Sequence, residues 1–133
     1  MTNIKIGTEI PALKLPPITR HTLALYGGAS GDHNPIHIDS DFAKIAGMPD
    51  VFAHGMLSMA YLGRMLTNWQ PQSKLRKFNS KFAVMTELRD IIKCTGEVVA
   101  LVEHNGETLA QCEIMAAKAT GEVTLIGEAL VKL

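Results

Sequence analysis

Asp32 and His37 stand five residues apart inside a run of small and polar residues, Tyr26 to Asp39, that reads Tyr-Gly-Gly-Ala-Ser-Gly-Asp-His-Asn-Pro-Ile-His-Ile-Asp. Fully extended, the gap would cover about 17 Å. Asn34-Pro35 lies between them and favours a turn, because an asparagine side chain bonds the backbone two residues on. Such a turn would bring the carboxylate and the imidazole close enough to share one water. That makes a proton-transfer pair: one group accepts a proton from the water, the other positions it, and a proton is delivered elsewhere. Neither a metal nor an organic cofactor is called for. The same residues also suit a plain turn, with Asp32 and Asn34 bonding the backbone and His37 filling a pocket. For an isolated Asp/His pair that is the commoner outcome.

A second group is Phe52-Ala53-His54-Gly55-Met56, at the expected start of a long helix. The first N–H groups of a helix have no partner within it and carry positive partial charge. A glycine there lets a ligand oxygen come close, so the Gly55 N–H could stabilise an oxyanion. Tight packing of Gly55 on a strand explains it equally well. A Cys-x-x-Cys spacing is absent from the sequence, and the five histidines are read as forming no zinc site. His21, His33 and His104 read as surface residues.

These residues must be held by something, and the periodicity predicts what. Residues 9–18 carry three prolines among alternating residues, which suits an edge strand. Thr19 is placed to cap a short helix through Tyr26, ended by Gly27, Gly28 and Gly31. Asp39 or Ser40 caps a second, Asp41 to Ala46, stopped by Gly47 and Pro49. The main helix runs from His54 to about Trp69, with apolar or small residues around most of its circumference, which predicts burial nearly all round. The period then changes to two over Leu75–Met85, Ile91–Glu103, Glu107–Lys118 and Glu122–Val131. Asn105-Gly106 is a strong hairpin signal. A long apolar helix followed by an antiparallel meander predicts an α+β fold with the sheet curled around the helix.

Composition narrows the classes. The chain has 133 residues, 47% hydrophobic and 20% charged, with zero formal net charge. This suits a single domain over residues 1–133 and argues against a nucleic-acid binder, which needs a basic surplus. The longest apolar stretch, Met56 to Leu66, contains Arg64 and is shorter than the ~20 residues of a membrane span. The polar start, Met1 to Lys5, has no secretory character. Cys94 and Cys112 fall in strand-like runs and read as buried thiols. The expectation is a cytoplasmic protein.

Tyr26 to Asp39 followed by Ala53-His54-Gly55-Met56 closely resembles the hydratase-2 motif of the MaoC-like dehydratases, among them the (R)-specific enoyl-CoA hydratases. The pattern is an aromatic residue, a small stretch, Ser-Gly-Asp-x-Asn-Pro-apolar-His-x-Asp, then His-Gly-Met opening the central helix. The run His54 to Met59 is most similar to single-hot-dog (3R)-hydroxyacyl dehydratase catalytic subunits. The resemblance implies a hot-dog fold, no cofactor, and hydration of trans-2-enoyl thioesters to (3R)-3-hydroxyacyl thioesters or the reverse. It implies Asp32 and His37 as the catalytic pair and Gly55 as the donor to the thioester oxygen. Asn34, His54 and Met56 would complete the substrate site, with His54 orienting the helix start. The substrate would be an acyl-CoA or acyl-carrier-protein thioester. The partner would be a second copy or a paralogous hot-dog subunit.

One departure stands out. Some (R)-hydratases carry a serine eight residues after the helix glycine; here that position is Gly63, and Ser58 comes earlier. Gly63 would either make room for a bulky acyl group or pack closely on the sheet. Two other readings belong beside this one. A hot-dog thioesterase would place a carboxylate on the central helix, and no Asp or Glu lies between His54 and Trp69. A non-catalytic acyl-thioester-binding subunit would be expected to lack the Asp or the His.

Overall fold

The computed structural model describes residues 3–133. Strand β1 (Glu9–Lys14) leads to helices α1 (Arg20–Ser30), α2 (Ser40–Ile45) and α3 (Gly55–Trp69), then to strands β2 (Leu75–Phe82), β3 (Ile92–His104), β4 (Glu107–Lys118) and β5 (Val123–Lys132). The five strands form one antiparallel sheet in the order β1-β3-β4-β5-β2. The proline-bearing β1 lies at an edge, where a missing N–H costs least. Asn105 and Gly106 both take positive φ, 49° and 77°, the geometry of a tight hairpin turn, and β3–β4–β5 is the predicted meander.

The sheet curls over α3. Leu62, Met65 and Leu66 of the helix pack with Ile92, Cys94, Val98, Cys112, Ile114 and Leu125. Each such side chain stabilises the fold by about 1.5–3 kcal/mol relative to exposure. Both cysteines are fully buried free thiols, and burial pushes Cys94 up to about 12. A smaller cluster, Ile18, Leu23, Ala43, Val51, Ala53 and Leu57, fastens α1 and α2 to the start of α3.

Two helix expectations need correction. Helix α1 does not stop at Tyr26 but runs through Gly27 and Gly28 to Ser30, capped by Gly31 at φ 77°. Gly27 is there for proximity rather than for breaking the helix: a Cβ on it would sit 3.1 Å from Ile38 and 3.3 Å from the Asp32 carbonyl oxygen. Helix α3 is not buried all round, since Met56, Ala60, Arg64 and Thr67 form an exposed stripe. The sheet wraps one side of it only. Gly63 meets Phe78 of β2, whose ring lies 3.3 Å from where a Cβ would be. That space is therefore filled by the sheet rather than left open for a bulky acyl group.

The outer face of the sheet carries a row of like charge that the sequence does not advertise. Glu9 pairs with Glu97, Glu97 with Glu113, and Glu113 with Glu128 across four adjacent strands. Like charges directly opposite each other are destabilising, by about 0.2–1 kcal/mol per pair. Glu113→Gln, which relieves two of these contacts, is expected to raise the thermal midpoint by about 1–4 °C. In thermal melts the gain should be largest at low ionic strength and fade in concentrated salt. A gain that ignored salt would assign it to something other than charge.

Candidate active site

Three segments bring the predicted residues together. The loop after α1 carries Asp32, a short 3-10 turn (Pro35–His37) carries His37, and the extended stretch before α3 carries His54. The turn forms as Asn34-Pro35 predicts. The Asn34 side chain accepts from the Ile36 N–H at 3.1 Å, and the Asp32 carboxylate accepts from the Asn34 N–H at 3.2 Å. Donor atoms of Asp32, His37 and His54 all lie within 4.8 Å of one another. Asp32 is exposed, His37 half-buried and His54 buried.

The backbone sets the state of each ring. His37 Nδ1 lies 2.8 Å from the Phe52 carbonyl oxygen. A carbonyl only accepts, so Nδ1 carries the hydrogen, and in the neutral ring the lone pair is then on Nε2. The Phe52 ring meets His37 edge-on, with centroids 5.0 Å apart. His54 Nε2 lies 3.2 Å from the Asp32 carbonyl oxygen and donates to it by the same logic, which ties the Asp32 loop to the start of α3. His54 Nδ1 is buried with no partner among the described residues. Burial, and then the neighbouring His37, push His54 below the usual histidine range, against opposing contributions from Asp32. His54 is therefore neutral near pH 7 and unsuited to giving protons. Tyr26 packs edge-on to His54 at 4.9 Å, and burial followed by the charge of Asp32 raises its phenol above the ordinary value, so it stays protonated.

The trio does not make a good ion site. His37 and His54 are stacked, with centroids 4.1 Å apart and planes 29° apart. Their in-plane lone pairs run side by side rather than converging on one ion.

Gly55 is the first residue of α3, and His54 gives the helix no side-chain cap. The Leu57 N–H turns back to the His54 carbonyl at 3.0 Å, while the Gly55 and Met56 N–H groups have no protein partner among the described residues and are available to a ligand. Beside them lies a cavity of about 330 Å³ lined by Phe52, His54, Gly55, Ser58, Phe82 and Thr86, among others, at the small end of the ~300–1,000 Å³ range of ligand pockets. The Phe82 ring stands over Gly55, 3.0 Å from where a Cβ would be. The two remaining predicted residues lie further out. Asn34 is exposed and busy with the turn. Met56 is half exposed and is not among the residues lining the cavity.

Sequence reasoning missed the Phe52 carbonyl, Phe82, Thr86 and Gly27. A backbone carbonyl leaves no trace in residue type. Phe82, at the end of β2, and Thr86, in the connection after it, are distant from Gly55 in sequence. Gly27 reads in the sequence as a helix breaker, and only the fold shows the close approach it serves.

The chain is 30% identical over 129 residues to the fatty acid synthase subunit beta of Saccharomyces cerevisiae, covering 95% of this chain and 6% of that one. It therefore spans only a small part of the length of such fungal relatives. It is 28% identical over 131 residues to the (R)-specific enoyl-CoA hydratase of Rhodospirillum rubrum, covering 97% of this chain and 88% of that one. The structure of an (R)-hydratase from A. caviae involved in PHA biosynthesis superposes with a TM-score of 0.85 at 23% identity, over 100% of this chain and 99% of that one, and so shares the hot-dog fold. The pattern of the MaoC like domain matches residues 3–120, and the chain belongs to that family of dehydratase domains.

Proposed function

We propose that this chain catalyses the reversible hydration of trans-2-enoyl thioesters to (3R)-3-hydroxyacyl thioesters, with no cofactor. The observation that carries the reading is the convergence of the Asp32 carboxylate and the His37 imidazole beside an uncapped helix start and an apolar cavity. Asp32 and His37 Nε2 hold one water between them. As its oxygen attacks C3, the pair takes one of its protons. Electron density moves through C2 onto the thioester oxygen, where the Gly55 N–H and the helix N-terminus stabilise it. The pair then returns a proton to C2, and dehydration is the same path reversed. His54 holds the Asp32 loop in place, Asn34 shapes that loop, and Met56 flanks the helix start.

The similarity to the Rhodospirillum rubrum hydratase supports the (R) outcome and a coenzyme A thioester. A second reading, dehydration of an acyl group bound to a carrier protein, is favoured by the similarity to the yeast synthase subunit. We also read the chain as half of a dimer, with a second copy or a paralogous hot-dog subunit. The free edge of β2 and the exposed Met56, Phe82, Val84 and Met85 near the site support this. No helix among the described residues is long and apolar enough to cross a membrane, and the two free thiols fit a reducing, cytoplasmic setting.

The test follows ultraviolet loss of the conjugated enoyl thioester with crotonyl-CoA and a longer trans-2-enoyl-CoA, reading product chirality with (R)- and (S)-selective dehydrogenases. Turnover to the (R)-alcohol is expected. Turnover to the (S)-alcohol, or binding of acyl-CoA with no turnover even beside a co-purified partner, would overturn the reading.

A further inference from the structure

The cavity beside Gly55 is walled by Phe52, Ala53, Phe82, Ala83, Val84 and Leu125, as an acyl pocket requires. Two residues of its lining break the pattern. Ser58 and Thr86 are almost fully buried, 2% and 5% exposed, and their hydroxyl oxygens lie 3.4 Å apart. That is a long contact at the limit of a hydrogen bond. Two hydroxyls together offer two hydrogens and four lone pairs. The mutual contact uses one of each, and no other protein group bonds either oxygen among the described residues. A buried hydroxyl pair with capacity to spare takes up water when it faces a space that can hold one.

Its position matters as much as its chemistry. Ser58 lies three residues beyond Gly55 on α3, about 4.5 Å further along the helix axis. A thioester oxygen held at Gly55 would place a short acyl tail in front of the hydroxyls. A longer tail must press past them and strip their water, leaving buried polar groups facing methylenes.

We propose that Ser58 and Thr86 set the length of acyl group this site accepts, favouring short enoyl groups over long ones. The proposal rests on the enoyl-thioester reading of the site and adds to it the class of acyl chain. Both hydroxyls should act together. Removing one strands the other, whereas replacing both with apolar groups of similar shape leaves nothing unsatisfied. The double variant Ser58→Ala/Thr86→Val is therefore the informative one, with Thr86→Val alone beside it.

The experiment measures kcat/KM for crotonyl-CoA, trans-2-hexenoyl-CoA and trans-2-decenoyl-CoA in the wild type and both variants. Calorimetric affinities for butanoyl-CoA and decanoyl-CoA are measured in parallel. The wild type should favour the short substrates. The double variant should raise the decenoyl-to-crotonyl ratio by at least tenfold and the decanoyl-to-butanoyl affinity ratio in step, with Thr86→Val alone moving both less. Unchanged ratios in a folded double variant would overturn the proposal, as would a wild type that already prefers the long chain. If the wild type hydrates none of the three thioesters, the affinity ratios still decide. A rise in the double variant upholds the length-setting role independently of the hydratase reading, and no rise ends it.

Discussion

Asp32→Asn is expected to fold normally and to lose at least two orders of magnitude of enoyl-thioester hydration, the lower range of what a positioned acid–base group supplies. The reason lies in what each atom of the side chain does. One carboxylate oxygen accepts from the Asn34 N–H, and an asparagine carbonyl oxygen accepts there equally well. The turn therefore survives, and so does the His54 anchor, which uses the Asp32 main-chain carbonyl rather than its side chain. What the amide loses is the negative charge and the ability to take a proton from water. His37→Ala should lose comparable activity for a different reason, removing the Nε2 lone pair that the Phe52 carbonyl keeps free by holding Nδ1–H. The double variant should be no worse than about the weaker single variant, because the two groups act on one water and their losses do not add. Circular dichroism and the thermal midpoint establish the fold, and the ultraviolet assay the turnover. Near wild-type turnover in a folded Asp32→Asn protein would remove the carboxylate from the reaction.

Why these residues could be picked out in the sequence, and others could not, follows from the range of the interactions involved. The Asp32–His37 turn is local. Asn34-Pro35 closes it through contacts two residues long, and such contacts are written in residue order. The β3–β4–β5 meander is legible for the same reason: Asn105-Gly106 fixes one hairpin, and the alternation in each strand fixes which face is buried. Long-range proximity is where sequence reading stops. Gly27 looks like a helix breaker until the Asp32 carbonyl and Ile38 are seen to need its bare Cα. The exposed stripe of α3 was unreadable because Met56 and Ala60 are as apolar or small as the buried residues, and composition cannot say which side a sheet covers. Phe82 lies 27 residues beyond Gly55, so only the folded chain shows its ring over that glycine.

That ring bears on the second large effect, expected from Gly55→Pro. Proline inside a helix normally confounds such a test, but Gly55 is the first residue of α3, where proline is well tolerated because its missing N–H has no helical partner to lose. The preceding residue fits as well. His54 has φ −57° and ψ 133°, the extended conformation that a residue before proline prefers. The substitution therefore removes the proposed oxyanion donor while leaving the helix start in its present shape. Its side effect is steric, since a Cβ at this position meets the Phe82 ring at 3.0 Å. More than half of Phe82 is exposed, so the ring can give way. Gly55→Ala introduces the same Cβ but keeps the N–H, and it calibrates the steric part. Alanine should raise KM with a modest change in kcat, as crowding at the entrance would. Proline should lower kcat by a further factor of about 10²–10³, the usual loss when one oxyanion donor is removed. Equal kcat values for the two variants, with thermal midpoints matching the wild type, would show that the Gly55 N–H does not hold the thioester oxygen. The glycine would then serve only to let Phe82 pack over the helix start. A gap between them would show that the bare Cα does two jobs, admitting the substrate and exposing the donor that binds it.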